Sequence, residues 1–132
     1  MRVYDGPDRT AENEVDVVFV GFDGDWVSGT FESASINQSW PYLGNTSRLE
    51  DVSVPCCVES WTGDMTPKTA RDRAVVLLAG VETVLRTDPT LGIDGSTVAV
   101  LTVGIPYQEP SGSGYLCRIV FTVDVKTTLL TT

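Results

Sequence analysis

The sequence predicts a single α+β domain over residues 1–132, in which one long helix covers a mostly antiparallel sheet of about four to five strands. Short apolar runs, several with alternating polarity, lie on both sides of one segment with helical period. The last two of these runs are separated by a glycine-rich stretch, which is typical of a hairpin. A chain of 132 residues, 42% of them hydrophobic, is long enough to bury one core.

The first strand is predicted at 15–22, where "VDVVFVGF" is rich in β-branched and aromatic residues and is followed by the turn "DGD". The Gly- and Ser-rich segment 23–51 is predicted as a long loop, although 31–40 alternates well enough for a second strand. Connectors of this length are more often functional than accidental. The third strand is predicted at 52–61, with Pro55 at an edge or a bulge.

A helix is predicted over about 67–87, with Thr66 as the cap and Pro67 in the first turn. It stops at the dipeptide "DP", which cannot continue a helix. Gly80 in its middle costs roughly 1 kcal/mol relative to alanine and indicates a close contact with a strand or a neighbouring chain. Apolar residues at helical spacing form one stripe: Ala70, Ala74, Leu77, Leu78, Val81, Val84 and Leu85.

A C-terminal hairpin is predicted over about 97–126. Its strands are 97–105 and 115–126, joined by the loop "PYQEPSGSG". In the second strand apolar and polar residues alternate, which predicts one packed face and one face in water. The residues predicted on the packed face are Cys117, Ile119, Phe121, Val123 and Val125.

The composition excludes several classes of function. There is no histidine, so the commonest general base and metal ligand is missing. The net charge of −9 argues against binding to nucleic-acid phosphates. It does not exclude proximity to DNA, since a surface past which DNA slides should be neutral or negative, but the default explanation is that the charge keeps the protein soluble. No apolar run approaches the ~20 residues of a membrane span, and the start lacks the apolar core of a secretory signal. We expect a protein made and kept in the cytoplasm.

The motifs with catalytic or metal-binding potential are better explained as structure. Cys56 and Cys57 lie in a strand, where successive side chains point to opposite faces, and no histidine can activate them. Asp23 and Asp25 resemble the start of a cation loop but lack its further ligands, so a turn is favoured. "PSGSG" has no following Lys-Ser/Thr and is not a phosphate loop. We expect no catalytic residue, cofactor or metal.

Aromatic residues on the predicted loops are candidates for protein contacts. They either anchor an interface or fold back onto the domain as a satellite cluster, and the sequence leaves both alternatives open. Trp26 belongs to this group. The residues predicted at an interface between subunits are Trp40, Tyr42, Arg48, Tyr107 and Tyr115.

Several motifs in order give the chain a resemblance to a known family. They are "VYDGP", "VFVGFDGD", "CCVESWTGD", a helix "RDRA…LL…VE..LR.DPTLG", then "Q…GSG" and "RIVFTVDVK". Together they resemble the tail terminator proteins of long-tailed, siphovirus-type phages that infect actinobacteria. The resemblance implies a tail-terminator-like fold and a virion protein without enzymatic activity, assembled in the host cytoplasm.

The resemblance also implies partners. Such a protein forms a homohexameric ring on the tail tube protein, ends tube polymerisation and offers a surface to a head-completion or neck protein. DNA passes through the lumen without specific binding. The alternatives are another head–tail connector or tail-completion protein, and a small intracellular ligand-binding or enzyme domain that uses the cysteines or Asp23 and Asp25.

Overall fold

The structure is a computed structural model that describes residues 2–8, 15–27, 29–39, 47–93 and 97–130. These residues form one helix and one mixed sheet of six strands in the order β1-β2-β4-β6-β5, with β3 also paired to β4. Only the β1–β2 pair is parallel. The elements are β1 Arg2–Asp5, β2 Asp16–Val20, β3 Ser35–Ser39, β4 Ser47–Thr62, α1 Pro67–Thr87, β5 Thr97–Ser111 and β6 Gly114–Leu130.

The expectation of a four- to five-stranded sheet covered by one long helix is wrong, because strands dominate the molecule. β4, β5 and β6 contain 16, 15 and 17 residues. At about 3.3 Å per residue each is roughly 50 Å long, whereas the 21 residues of α1 span only about 32 Å. A helix about 10 Å wide therefore covers only the middle of one face.

One predicted loop is largely strand, and a second contains strand residues at two places. Most of the predicted loop 106–114 continues β5 to Ser111, and only Gly112 and Ser113 form the turn. Gly112 has φ 61°, as the first position of a type II′ turn requires. The predicted loop 23–51 contains β3 and the first residues of β4, while its residues 40–46 lie outside the described ranges. The possible second strand at 31–40 is present as β3, over Ser35–Ser39. The first residues of β4 and the last residues of β5 were missed because they are mostly polar or interrupted by proline.

The helix occupies the residues that the sequence pattern indicates. Thr66 precedes it in extended conformation without a side-chain cap hydrogen bond, Pro67 stands at its start, and it ends at Asp88. Val84 is 67% exposed, so its assignment to the buried stripe is wrong. The residues of α1 that are buried or packed against the core are Ala70, Ala74, Leu77, Leu78, Val81 and Leu85.

The sheet has a hydrophobic cluster on each face, and the two adjacent cysteines belong to different clusters. Cys56 packs under α1 with Val58 and Phe121. Cys57 packs on the other face with Phe19 and aromatic residues that follow β2. This alternation follows from the period of two in a strand. Cys56 and Cys57 are both buried, where the sequence predicted one on a core face.

The second face is covered by residues 21–27 and 29–34, here called the covering segment. Phe22 is fully buried, and its ring centroid lies 4.6 Å from that of Trp26 and 5.0 Å from that of Phe31. Edge-to-face pairs of this kind stabilise by about 0.5–1.5 kcal/mol beyond their burial. The prediction that β6 has one wet face is therefore wrong over part of its length, since Val120 packs beneath these rings.

Pro55 lies neither at an edge nor at a bulge, but at a gap beside the central strand β4. β6 pairs with all of β4 on one side, and on the other side β3 pairs with 49–53 and β2 with 56–60. Trp61 donates its N–H to Val15 O on the β2 side. By alternation the nitrogen of Pro55 points to the same side, into the gap, where no partner needs a donor.

A polar network fixes α1 against β2 and β4. Arg73 Nη2 lies 2.8 Å from Asp16 Oδ2, and Arg73 Nη1 donates to Trp61 O at 3.2 Å. Ser60 Oγ donates to Asp16 Oδ1 at 2.7 Å. Burial alone would raise the pKa of Asp16, but the hydrogen bonds from Arg73 and Ser60 and the Arg73 charge outweigh it and lower the pKa.

One end of the sheet extends beyond both clusters. This open end consists of β3, residues 49–52 of β4 and residues 126–128 of β6. All five residues of β3 are exposed, and Ile36 is 65% exposed. Neither hydrophobic cluster contains a residue of the open end. On one face it forms a groove of about 440 Å³.

Candidate interaction surfaces

Three of the five predicted interface residues lie wholly or partly outside the described part of the chain. Trp40 and Tyr42 are outside it. The backbone of Arg48 pairs with Leu129 in the sheet, but its side chain is not among those described. The predicted contact of these residues with a neighbouring subunit stays a prediction.

Tyr107 and Tyr115 are described and lie on opposite faces of the sheet. Tyr107 is directly opposite Arg118, whose guanidinium carbon is 5.0 Å from the tyrosine ring centroid. Tyr115 is three positions before Arg118 on β6, so it points to the other face. It is half-buried opposite Thr62. The structure therefore does not bring the two tyrosines together.

The exposed apolar side chains on one face of the edge strand β5 form the first candidate surface. Their exposed fractions lie between 45% and 50%. All point away from α1. The β-bulge between Thr102 and Gly104 adds one residue and shifts the alternation of side chains by one position, so the exposed residues before and after it lie on the same face. This set, here called the β5 row, is Val98, Val100, Ile105 and Tyr107.

The outer side of α1 forms the second candidate surface. Val76 and Val84 are 70% and 67% exposed, and Gly80 lies between them at i, i+4 spacing, so the three form one line along the helix. We call them the helix line. Val76 also borders a groove of about 250 Å³ between α1 and β2, with Asp16 and Asp72 on its walls.

Gly80 has no structural reason within the described chain. A Cβ at this position would meet no atom within 4 Å, and the backbone φ lies outside the left-handed region. The contact with a strand that the sequence allowed is therefore wrong. The other explanation, a contact with a neighbouring chain, stays a prediction.

Asp23 and Asp25 form a turn, as the sequence favoured. Asp23 Oδ1 accepts the N–H of Asp25 at 2.9 Å, and Asp25 Oδ1 accepts the N–H of Val27 at 3.0 Å. With Glu32 they border a cavity of about 180 Å³. Among the described residues no group of three Asp, Glu, Cys or His is placed to hold a metal ion.

A charged pair lies beneath this turn. Glu59 and Arg118 are directly opposite each other on β4 and β6, and Arg118 Nη1 donates to Asp23 O at 2.6 Å. Burial raises the pKa of Glu59 to about 7, with Glu109 acting in the same direction and the Arg118 charge opposing it. Gly24 lies over this pair, and its backbone φ is +85°.

The three cysteines are free and buried, in agreement with their interpretation as packing residues. Burial raises the pKa of Cys56, Cys57 and Cys117 above the ordinary value, which disfavours the reactive thiolate. No signal in the sequence distinguished Cys57 as part of a second cluster, because the aromatic rings over it come from a segment of loop composition.

Comparison with protein-family models, curated proteins and solved structures finds no match to this chain. Within the described ranges, the one helix does not combine the length and apolar character needed to cross a membrane.

Proposed function

We propose that the chain is a structural protein of a phage virion that forms a homohexameric ring on the end of the tail tube. In this role it ends polymerisation of the tube protein and joins the tail to a head-completion or neck protein. It acts without catalysis or a cofactor. The proposal rests on the sequence resemblance to tail terminators together with one structural observation.

That observation is the open end of the sheet. Strands need an apolar face packed against another layer for independent stability, and within the described residues neither hydrophobic cluster extends over the open end. Its exposed apolar residues include Ile36 and Leu49. An uncovered sheet end of this kind favours a subunit that assembles with neighbouring chains, because assembly would bury apolar side chains that the single chain leaves exposed to water.

The charge of the chain is compatible with this role. Eighteen acidic residues oppose nine basic ones. Three basic side chains form ion pairs within the described chain: Lys68 with Asp72, Arg73 with Asp16 and Arg86 with Glu82. A ring with this balance repels DNA phosphates at short range, within the ~8 Å screening length at physiological salt. The acidic balance of the chain differs from the basic character that nucleic-acid binding requires.

The test measures the assembly state of the protein and its effect on tube growth. Sedimentation velocity and negative-stain electron microscopy of the purified protein should show hexameric rings, in solution or on tube ends. Added to polymerising tube protein, the chain should stop elongation and yield tubes whose ends carry six copies.

A protein that stays monomeric and leaves tube growth unchanged would contradict the proposal. Binding to tube ends without arrest of growth would indicate another head–tail connector. A monomer that carries a metal or small molecule in native mass spectrometry would support the intracellular ligand-binding alternative.

A further inference from the structure

We propose that neighbouring copies contact each other head to tail, with the β5 row of one copy on the helix line of the next. The inference rests on the proposed ring and names the surfaces that close it. It commits to a second copy of this chain as the occupant of both surfaces.

The helix line has the features of a contact surface. Gly80 lowers helix stability relative to alanine, and within the described chain nothing approaches it closely. Val76 and Val84 on either side are largely exposed. A glycine between two exposed valines lets another backbone or side chain approach the helix axis closely, which accounts for a residue that folding alone does not need.

The two surfaces are placed for a repeating contact. The groove beside Val76 is walled by Asp16 of β2, so the helix line borders the β1–β2 side of the molecule. The β5 row lies at the opposite edge of the sheet and on its other face. A contact between two different patches of identical chains is heterologous, and its repetition closes a ring when the rotation permits.

Pairing of β5 with β5 through backbone hydrogen bonds is disfavoured. Pro106 and Pro110 have no N–H to donate to β6. Their backbone nitrogens therefore point to the free edge of β5, where an added strand would find no donor. The N–H of Ala99 is taken by Pro89 O at 2.7 Å. The edge is thus protected against strand addition. The apolar face of β5 remains for association.

Charge sets the register of the contact. Lys126 lies beside Val98 on the same face and is exposed. Asp51 lies directly opposite it on β4, but among the described residues no carboxylate forms an ion pair with Lys126. Asp72 precedes Val76 by one helical turn and is half-exposed, and its Oδ2 forms an ion pair with Lys68 Nζ of the same helix at 2.5 Å. A carboxylate has a second oxygen that can accept a hydrogen bond from another cation. We infer that Val98 of one copy lies near Val76 of the next, where Lys126 meets Asp72.

Engineered cysteines test this register. Val98→Cys and Val76→Cys are made singly and together, and the three natural cysteines are buried and do not compete. Under mild oxidation of the assembled protein, a mixture of the single variants should give disulfide-linked dimers. The double variant should give a ladder up to six chains, and each single variant alone should stay uncrosslinked.

Charge substitutions provide a second readout. Val100→Lys and Val84→Lys should each lower the association constant about tenfold or more in sedimentation equilibrium. The matched control is Val27→Lys, because Val27 is 92% exposed and belongs to neither surface. Lys126→Asp should weaken assembly, and Asp72→Lys in the same chain should restore it.

The outcomes separate the two proposals. Crosslinking of Val98→Cys alone would show a twofold contact through β5 and overturn the inference. Rings that cap tubes but show no mixed crosslink would overturn it as well, while the proposed function stands. A chain that neither assembles nor caps tubes would overturn both.

Discussion

Gly24→Ala gives a direct test of how the covering segment is held on the sheet. Gly24 has φ +85°, a conformation that costs a residue with a Cβ about 1–2 kcal/mol. The added Cβ would also lie 2.5 Å from Arg118 Cδ and 2.9 Å from Cys57 Sγ. Contacts under 3 Å require a neighbour to move.

Neither neighbour can move freely. The Cys57 side chain is fully buried in the central strand, and the Arg118 guanidinium is held by Asp23 O and the Tyr107 ring. Overpacking of this kind costs about 1–3 kcal/mol. Added to the backbone term, it gives an expected loss of about 2–5 kcal/mol in the free energy of unfolding, measured by urea denaturation.

Gly29→Ala is the matched control in the same segment. Gly29 has φ +72°, but its Cβ would meet nothing within 4 Å, so only the backbone term of about 1–2 kcal/mol applies. The difference between the two variants isolates the packing of Gly24 on Arg118 and Cys57. Equal losses within about 0.5 kcal/mol would refute the close packing described here.

Three further predictions concern the core. Leu78→Ala should cost about 1–2 kcal/mol in thermal or urea unfolding, less than a fully buried leucine, because Leu78 is only partly buried against the helix-side cluster; a loss below about 0.5 kcal/mol would place it on the wrong face. Cys56→Ala and Cys57→Ala should each cost on the order of 1 kcal/mol and leave tube capping intact, and uncontrolled tube length with folded protein would contradict this. Folding stability should fall as pH rises from about 4.5 to about 7, because folded Glu59 keeps a proton that the unfolded chain releases. Glu59→Gln should remove this fall in urea titrations at successive pH values, and an unchanged pH profile would argue against it.

The helix was predictable because its signals are local. The first-turn Pro67, the apolar stripe and the terminating Asp88 all lie within one continuous stretch and act through neighbours three or four residues away. The exception is Val84, which has the spacing of the stripe but faces outward. The hydrophobic period predicts the buried side of a helix only approximately. Whether a residue at the margin of that side is buried depends on whether the sheet contacts it.

The lengths of the strands were not predictable in the same way. β5 continues through Pro106 and Pro110, which normally mark loops, because both lie at a free edge where a missing N–H is harmless. β3 consists mainly of polar residues and exists only through pairing with β4. The alternation over 31–40 indicated a strand near β3, but the bounds of β3 and β5 depend on distant pairing partners that no local pattern records.

The candidate surfaces were predictable in part. Tyr107 was named from its loop-like surroundings and is exposed, although it stands on a strand. Gly80 was noticed from the cost of glycine in a helix. The β5 row escaped notice because the strand predicted at 97–105 was assigned neither a packed face nor an exposed face. The topology places β5 at the edge of the sheet, and the cluster on the face opposite α1 contains no described residue of β5, so that face of the strand stays exposed.

The long pairing of β4 with β6 has a consequence for the order of folding. Within the β5–β6 hairpin, Thr102 and Thr122 are joined across 20 residues, whereas Ser53 and Asp124 are joined across 71. Closing the longer loop carries the larger entropic cost, so the hairpin and α1 should form early and β4 should dock late. Until it docks, β6 presents a bare edge of 17 residues. Newly synthesised chains are then open to mispairing with one another, which makes the interval before β4 arrives the period of greatest risk of aggregation.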